Sequence, residues 1–511
     1  MKTYTCKNIR NIALAGHGGS GKTSVAEGLL YKCGEIERMG KVSDGNSVCD
    51  YDPEEIKRKI SLGTSLAYCQ WKDVKINILD TPGQFDFAAG LYEGISAAES
   101  VVIALPAKDG VQVGTIKAYR EAVKHGKATM FVVTRMEEEN SNFYKCLEEL
   151  KTQFGPSICP IVVPFDKYGT VESYINLLEM KAYTYDNGVP TEVPMPASEN
   201  RLKGLRAAMA EAVAETDEEL MMRYFENEGE DFTEAEIVKG LHDGIHKGYI
   251  TPVVCCSGDT LAGIDMMLNT IIYMLPSPDE TDGELCDDGS KVQYASRDTL
   301  EAKVFKTVAD PFVGKLSYIK IVNGTLAAGT EVVNRTTGNL EKPGKLLSMQ
   351  GKKTEDMIEA YAGDIVAATK LSANTGDTLT ASGDETVFAA EKYPVPCFFK
   401  AISAKDKNDE GKISNAIKRM VEEDKTLSYD HNHETHQRIL GGLGEQHLDA
   451  AISKMKAKFG VDVIVSDPII AYRESIRKKV QAEGKHTRQP ARALRPCKDR
   501  IRALRQRCSC I

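Results

Sequence analysis

Blocks of apolar residues alternate with mixed polar and apolar stretches from residue 8 to about 277. The apolar blocks predict buried strands at 10–15 (RNIALA), 74–79 (VKINIL), 100–105 (SVVIAL), 129–133 (TMFVV) and 251–256 (TPVVCC). The stretches between them include predicted helices at 21–32, 114–124, 141–153 and 263–274. Because apolar strands separated by amphipathic helices are typical of a parallel sheet covered on both faces, we predict an α/β domain over residues 1–282.

The alternation breaks down over about 165–245, where acidic residues are frequent, and we interpret this interval as an insertion before the last strand. The run LPSPDETDG at 275–283 combines Pro, Asp and Gly, as domain boundaries often do.

Two further modules follow this boundary. Residues 283–392 contain short β-rich runs such as LSYIKIVNG and TEVVNRTTG, with frequent Gly, and they predict a small β-barrel. From 393 to 470 the order becomes strand, helix 410–423, strand, glycine-rich turn, helix 445–459 and strand 461–465. That order predicts a ferredoxin-like α+β module. Residues 471–511 form a separate terminal region.

The composition of the chain predicts a soluble protein. The chain has 511 residues, of which 42% are hydrophobic and 27% charged, so several domains without a membrane-spanning segment are expected. None of the thirteen Cys forms a C-x-x-C pair, which favours reduced packing thiols and a cytoplasmic protein. The net charge is −9, but residues 485–511 carry nine Lys or Arg and one Asp. Any nucleic-acid contact of the acidic remainder must therefore come from local patches.

A glycine-rich loop at 16–23 reads GHGGSGKT and matches G-x-x-x-x-G-K-[ST]. It follows a predicted strand and opens a predicted helix, which is the arrangement that binds nucleotide phosphates. Backbone N–H groups close around phosphate oxygens, Lys22 supplies positive charge and stabilises the reacting phosphate, and the Thr23 hydroxyl is placed to ligate Mg²⁺. The predicted nucleotide-binding residues here are Gly16, His17, Gly18, Gly19, Ser20, Gly21, Lys22, Thr23 and Ser24.

A second motif, DTPGQFDF, follows the predicted strand 74–79. Asp80 at the strand's carboxyl end is predicted to hold Mg²⁺ through water, with Thr81 and Pro82 completing the turn. The Gly83 amide is placed to meet a γ-phosphate, and the Gln84 carboxamide to orient the attacking water. Gln84 and Lys22 are therefore the candidate catalytic residues.

These motifs make the chain resemble the translational GTPases, and elongation factor G most closely. GHGGSGKTS, YDPEEIKRKISL (51–62) and DTPGQFDF occur in the order typical of that family. CCSGDTLAGIDMMLNTIIYMLPSP (255–278) is similar to its closing nucleotide motif, which adds Ser257 and Gly258 to the predicted nucleotide site. INLLEMKAY (175–183) resembles the start of the family's insertion. HQRILGGLGEQHLDAAISKMKAKFGVDV (436–463) and AYRESIRKKVQAEGKH (471–486) resemble its third domain and the start of its fourth.

The resemblance implies a P-loop GTPase domain with an insertion, then a β-barrel domain and a ferredoxin-like domain. It implies GTP and Mg²⁺ as ligands, and ribosome-stimulated hydrolysis that promotes translocation during polypeptide elongation. The implied partner is the ribosome, with rRNA and ribosomal proteins in contact and the tRNA–mRNA complex affected indirectly. We expect a cytoplasmic monomer without a membrane partner.

Three positions depart from the family pattern. The family usually has His directly after D-x-P-G, where this chain has Gln84; Ras-like GTPases use Gln there to position water. In the family a Thr of the switch segment faces Mg²⁺. This chain has Ser61 at that position, which keeps the hydroxyl. The guanine motif Asn-Lys-x-Asp aligns with FVVTRMEEEN, where Thr134, Arg135 and Glu137 replace Asn, Lys and Asp.

The altered guanine motif changes the contacts that this turn can make with the base. Glu137 keeps a carboxylate but is one methylene longer than Asp, and Arg135 can pack its stem over the nucleotide as Lys does. Thr134 cannot supply the amide with which Asn bonds the base and braces the phosphate loop, which in this chain is the glycine-rich loop at 16–23. Each buried hydrogen bond lost costs about 1–3 kcal/mol, so weakened guanine selectivity is expected.

Two other features have competing interpretations. His431, His433 and His436 in HNHETH would suit Zn²⁺ in isolation, but the resembled domain has a polar stretch there without metal. The tail PARALRPCKDRIRALRQRCSCI is either a basic RNA-binding arm or the product of a one-base frame shift. Permitted codons read one base later yield RRGHYGHVKIEFEP, which resembles the family's continuation and favours the frame shift. We therefore expect a truncated chain that translocates inefficiently.

Two functions fit these observations. Gln84 favours an elongation factor G-like GTPase. The altered guanine motif and the expected truncation favour a nucleotide-dependent, ribosome-associated regulator, or a ribosome-protection-type factor, with little GTP turnover.

Overall fold

The computed structural model describes residues 4–167, 169–196, 199–227, 232–295, 299–310, 314–405, 410–472, 480–483 and 498–501. No helix in these ranges has both the length and the apolar character needed to cross a membrane.

The first part of the chain alternates strands and helices, as the apolar pattern predicts. Its strands are β1 (Ile9–Gly16), β2 (Ser65–Trp71), β3 (Val74–Asp80), β4 (Ser100–Pro106), β5 (Ala128–Thr134), β6 (Ile158–Pro160), β7 (Val162–Lys167), β8 (Thr170–Asn176), β9 (Lys181–Asp186), β10 (Val189–Val193) and β11 (Thr251–Cys255). Its helices are α1 (Lys22–Lys32), α2 (Pro53–Arg58), α3 (Ala88–Ala97), α4 (Val113–Lys124), α5 (Phe143–Phe154), α6 (Glu199–Ala214), α7 (Glu218–Asn227), α8 (Glu234–His246) and α9 (Ile264–Met274).

A seven-stranded sheet in the order β2-β3-β1-β4-β5-β11-β6 forms the centre of this part. All its pairings are parallel except β2 with β3. Strands β1, β4 and β5 are buried along their whole length, which explains their near-continuous apolar sequences. Parallel strands end on the same edge, so the segments after β1, β3, β5 and β11 meet there. The predicted α/β class is confirmed.

The interval predicted as an insertion contains regular structure that the sequence pattern did not reveal. Strands β7 to β10 form an antiparallel sheet in the order β10-β9-β8-β7, and α6, α7 and α8 follow it. β10 is mostly exposed and β9 is mostly exposed or partly buried, so their apolar alternation is weak.

A β-rich region follows, where the sequence predicts a barrel. Its strands are β12 (Glu284–Leu285), β13 (Lys291–Val292), β14 (Glu301–Asp310), β15 (Gly314–Asn323), β16 (Thr325–Ala327), β17 (Val332–Asn334), β18 (Leu340–Glu341), β19 (Leu346–Gln350), β20 (Lys353–Met357), β21 (Glu359–Tyr361), β22 (Ile365–Thr369) and β23 (Thr378–Thr380). Eight of them form one antiparallel sheet in the order β18-β17-β23-β14-β15-β22-β19-β20.

The next region has the β-α-β-β-α-β order that the sequence predicts. It comprises β24 (Phe398–Ala404), α10 (Glu410–Glu423), β25 (Ser428–Asn432), β26 (Gln437–Gly442), α11 (Glu445–Phe459) and β27 (Val463–Ser466). The sheet order β25-β26-β24-β27 with antiparallel pairing is that of a ferredoxin-like fold. In the terminal region, the structure describes residues 471–472 and one strand pair, β28 (Val480–Glu483) with β29 (Lys498–Ile501). The rest of the predicted basic tail lies outside the described residues.

Buried ion pairs connect the β-rich region to the central sheet. Lys75 of β3 contacts Asp364 at 2.7 Å, and Lys320 of β15 pairs with Glu99 beside β4. These side chains are nearly inaccessible to solvent, so breaking either pair would leave a buried, uncompensated charge. These pairs therefore connect the two regions through buried charges.

Candidate functional site

The glycine-rich loop links β1 to α1 in a conformation that requires glycine at defined points. Gly16 has a φ of +138°, and a Cβ there would lie 2.4 Å from the Ala104 carbonyl oxygen. Gly21 precedes α1 in the left-handed region, with a φ of +84°. The Lys22 ammonium lies inside the loop and donates to the His17 carbonyl at 2.9 Å. The loop therefore has the glycine positions and the cation that a phosphate cradle needs.

Buried oxygen ligands gather beside Lys22. The Thr23 hydroxyl donates to Asp80 Oδ2 at 2.7 Å and lies 3.5 Å from the Ser61 hydroxyl. The Asp50 carboxylate, which is buried, hydrogen-bonds Ser61. Two carboxylates and two hydroxyls thus converge from the start of α1, the end of β3 and the two sides of α2.

The charges of this group are strongly coupled. Burial raises the pKa of Asp80 to about 7, assisted by the neighbouring Asp50, while burial lowers the pKa of Lys22 to about 8. Burial also raises the pKa of Asp50. The buried carboxylates are therefore short of positive charge.

Mg²⁺ fits this set of residues. Among the described residues, neither Asp80 Oδ1 nor Asp50 Oδ2 has a hydrogen-bond partner, although both atoms are buried. Mg²⁺ prefers hard oxygen ligands such as these carboxylates and the hydroxyls of Thr23 and Ser61. Asp50 was missed by the sequence reasoning, since YDPEE at 51–55 reads as an exposed helix start. Its position directly before that start is the one signal that the sequence offers.

The segment after β3 lies against the phosphate loop. The Thr81 hydroxyl donates to the Leu14 carbonyl at 2.7 Å, and Pro82 packs beside Gly90 of α3. A Cβ on Gly83 would lie 2.5 Å from the Lys22 ammonium and 2.7 Å from the Gly18 nitrogen. A side chain at Gly83 would therefore collide with the loop, which explains the glycine.

The Gln84 carboxamide lies over the same loop. A Cβ on Gly18 would come within 2.7 Å of Gln84 Nε2. Gln84 is exposed, and the Phe85 ring next to it contacts Lys117, whose ammonium is 3.9 Å from the ring centroid. Gln84 is thus an exposed residue whose carboxamide lies beside the backbone of the glycine-rich loop.

The turn after β5 is attached to the phosphate loop through Thr134. The buried Thr134 hydroxyl donates to the Ser20 carbonyl at 2.7 Å, with a second carbonyl, that of Leu105, at 3.3 Å. The family resemblance implied that replacing Asn by Thr removes an amide that braces the loop. The structure shows that the hydroxyl makes a bond to this loop without an amide.

Arg135 and Glu137 occupy the same turn. Arg135 has a φ of +57°, which is uncommon for a residue other than glycine, and its guanidinium contacts Glu138 at 2.9 Å. Glu137 is exposed. Burial raises the pKa of Cys256, and the charge of Glu137 adds to this effect, so the carboxylate is near the segment after β11.

That segment contains the last two predicted nucleotide-binding residues. The fully buried Ser257 hydroxyl accepts a hydrogen bond from the Thr260 amide at 3.0 Å. A Cβ on Gly258 would lie 2.7 Å from the backbone of Ser24 in α1, and one on Gly21 would lie 3.2 Å from the Thr134 hydroxyl. The turns after β5 and β11 therefore both adjoin the start of α1.

The histidine cluster belongs to the ferredoxin-like region. His431 and His433 are neighbours with Nδ1 atoms 3.2 Å apart, at the end of β25. Within the described ranges, no group of three or more His, Cys, Asp and Glu residues is arranged to hold a metal ion.

Comparisons with known proteins assign most of the chain to families. Residues 7–277 match the family described as Elongation factor Tu GTP binding domain. Residues 299–382 match Elongation factor G domain 2, and residues 393–467 match Elongation Factor G, domain III. A solved crystal structure of a protein from Thermus thermophilus superimposes with a TM-score of 0.85 at 33% identity, over 95% of this chain and 71% of that one.

Proposed function

This chain belongs to the translational GTPases of the elongation factor G type, and from that premise we propose that it binds GTP with Mg²⁺ and hydrolyses GTP on the ribosome. The step served is translocation of the tRNA–mRNA complex during polypeptide elongation. A cytoplasmic monomer is the form that we propose acts in this step.

One observation carries the proposal most directly. Lys22, the paired Thr23 and Asp80, and the Gln84 carboxamide all lie against the phosphate loop, at the edge of the sheet where a nucleotide would bind. Phosphoryl transfer depends mainly on such positioning and on stabilisation of charge.

Each residue has a role in this proposal. Lys22 and the loop amides of Gly16 to Ser24 hold the phosphates and stabilise the charge that develops on the γ-phosphoryl group. Gln84 orients the water that attacks it, and the Gly83 amide contacts the γ-phosphate. Thr23, Ser61, Asp80 and Asp50 would hold Mg²⁺, which neutralises phosphate charge when bound.

The base needs a different set of contacts from those usual in the family, because Thr134 bonds the loop instead of offering an amide to guanine. We propose that the Glu137 carboxylate accepts from the guanine edge, with the Arg135 stem over the ring and Ser257 and Gly258 closing the pocket. The altered guanine motif, in which Thr134 and Glu137 replace Asn and Asp, favours a second function, a nucleotide-dependent ribosome-associated regulator with little turnover.

Titration of GTP against ATP and XTP tests the nucleotide assignment. We expect GTP to bind at least tenfold more tightly than ATP, the difference of about 1.4 kcal/mol that a single good hydrogen bond supplies. Equal affinities for GTP and ATP would contradict the guanine assignment. Hydrolysis assays with and without ribosomes then separate the enzyme from the regulator.

A further inference from the structure

Helix α2 lies between Asp50 and Ser61, two of the residues proposed to hold Mg²⁺. Asp50 lies just before its N-cap residue Asp52, and Ser61 follows its last residue, Arg58, by three positions. Anything that fixes α2 therefore also fixes Asp50 and Ser61.

Glu55 joins the two ends of this short helix. Its carboxylate accepts from the Asp52 amide at 3.1 Å and from the Leu62 amide at 2.9 Å. Asp52 in turn accepts from the Glu54 amide at 2.9 Å and completes a capping box. Hydrogen bonds to Glu55 thus join the two ends of the segment from Asp52 to Leu62.

Helix α11, which belongs to the ferredoxin-like region, holds this unit from outside. Lys454 Nζ lies 3.4 Å from Asp52 Oδ2, and Lys458 Nζ lies 3.9 Å from the same oxygen. The Ser453 hydroxyl donates to Glu54 Oε1 at 2.6 Å. All three side chains of α11 are on the face that meets α2.

The environment makes these contacts stronger than ordinary surface pairs. The side chains of Asp52, Lys454 and Lys458 are only 16%, 21% and 20% exposed. Burial would lower the pKa of Lys454, yet Asp52 and Glu423 outweigh it and raise this pKa.

Apolar and backbone contacts connect α11 to the other side of the nucleotide site as well. Leu62, Phe87 and Ala450 form one small buried cluster. Asp86, two residues after Gln84, accepts from the His447 amide at 3.3 Å in the first turn of α11. One helix of the ferredoxin-like region therefore touches both segments that line the γ-phosphate side of the loop.

We propose that Lys454 and Lys458 are positioning residues for the nucleotide site, which hold Asp52 and thereby keep Asp50 and Ser61 where nucleotide-bound Mg²⁺ requires them. This inference rests on the proposed function, because it assigns a purpose to the metal-binding group. Neither lysine belongs to the phosphate loop, so their effect on the nucleotide site acts through α2. Lys458 also pairs with Glu423 of α10 at 3.6 Å, a contact within the ferredoxin-like region.

The test compares GTP affinity in excess Mg²⁺ with GTP affinity in EDTA, using the full chain. In the double variant Lys454→Met/Lys458→Met we expect the Mg²⁺-dependent gain in affinity to fall about threefold to tenfold, the range of a partly buried ion pair. The affinity in EDTA should stay unchanged, since the phosphate loop is untouched. Arg at both positions should restore the gain, because it keeps the positive charge.

Lys456→Met is the matched control, because Lys456 lies on the same helix but is exposed and pairs with Asp462. Asp52→Asn removes the contacts with the lysines from the α2 side. It preserves the helix cap, since Asn caps helices as well as Asp does. Its effect should not add to that of Lys454→Met/Lys458→Met, because both variants remove the same two contacts of Asp52.

An unchanged Mg²⁺-dependent gain in the lysine variants, or full additivity with Asp52→Asn, would overturn the inference while leaving the proposed function intact. A wild-type chain that binds no GTP at all would overturn the proposed function and the inference with it.

Discussion

The Thr134 hydroxyl and the Ser20 carbonyl are joined by a 2.7 Å hydrogen bond, which ties the turn after β5 to the phosphate loop. Replacing Thr134 by Val keeps the shape of the side chain but leaves the Ser20 carbonyl without this donor. An unpaired buried acceptor costs about 1–3 kcal/mol, so we expect GTP affinity to fall at least fivefold. Calorimetric titration measures the change.

Thr129→Val is the control for this substitution. Thr129 lies in the same strand, but its hydroxyl contacts Thr251, 3.4 Å away, and not the loop. Equal losses of affinity in the two variants would mean that Thr134 acts only through the stability of β5.

A second prediction concerns the base. Guanine offers two N–H donors at the edge that a carboxylate reads, whereas xanthine replaces one of them by an acceptor. Glu137→Gln should therefore weaken GTP binding and shift the preference toward XTP, by about 1–3 kcal/mol for each hydrogen bond exchanged. Competition titrations of GTP and XTP measure the ratio of the two affinities. Glu139→Gln, in the same exposed turn, should leave the ratio unchanged; a ratio that also stays constant in Glu137→Gln would remove Glu137 from the base site.

A third prediction concerns pH. Burial raises the pKa of Asp80 to about 7, so below that pH a proton competes with a cation for this carboxylate. The Mg²⁺-dependent gain in GTP affinity should consequently be present above pH ~7 and decline as the pH falls from about 7.5 to about 6. Titrations across this range, with and without EDTA, measure the slope. Asp80→Asn should abolish it, and a slope that persists in this variant would assign the titration to another group.

A fourth prediction concerns the end of α2. Lys59 caps this helix with a φ of +56°, a left-handed conformation that glycine adopts without the steric cost imposed by a Cβ. Lys59→Gly should stabilise α2 by about 0.5–1 kcal/mol, seen as slower hydrogen exchange of its amides. Lys57→Gly, inside the same helix, should do the opposite by about 1 kcal/mol. Faster exchange in Lys59→Gly would show that the lysine side chain itself holds the segment.

Much of the fold could be predicted because burial leaves a direct trace in the sequence. Strands β4 and β5 are apolar almost throughout, β1 and β3 are mainly apolar, and each of these four predictions agrees with the structure to within one or two residues. The insertion was harder, since β9 and β10 are partly exposed and lose the alternation that identifies strands.

The site was predictable where a motif is local and hidden where it depends on tertiary contacts. GHGGSGKT and DTPGQ identify the phosphate loop and the segment facing it, and the structure brings them together. No local pattern shows that Asp50 and Glu55 are buried acids, or that Lys454 meets Asp52 from a distant part of the chain. The bond from Thr134 to Ser20 was missed because the family motif shows which residue Thr134 replaces, but not which backbone atom its hydroxyl meets in the folded chain.

The central claim, that this chain is a ribosome-stimulated GTPase, is tested most directly by the rate of phosphate release from GTP with and without purified ribosomes. We predict release that ribosomes accelerate, that ATP does not replace, and that Gln84→Ala slows about a hundredfold or more through loss of the carboxamide that orients water. Phosphate release that ribosomes do not accelerate, or that Gln84→Ala leaves unchanged, would contradict this account.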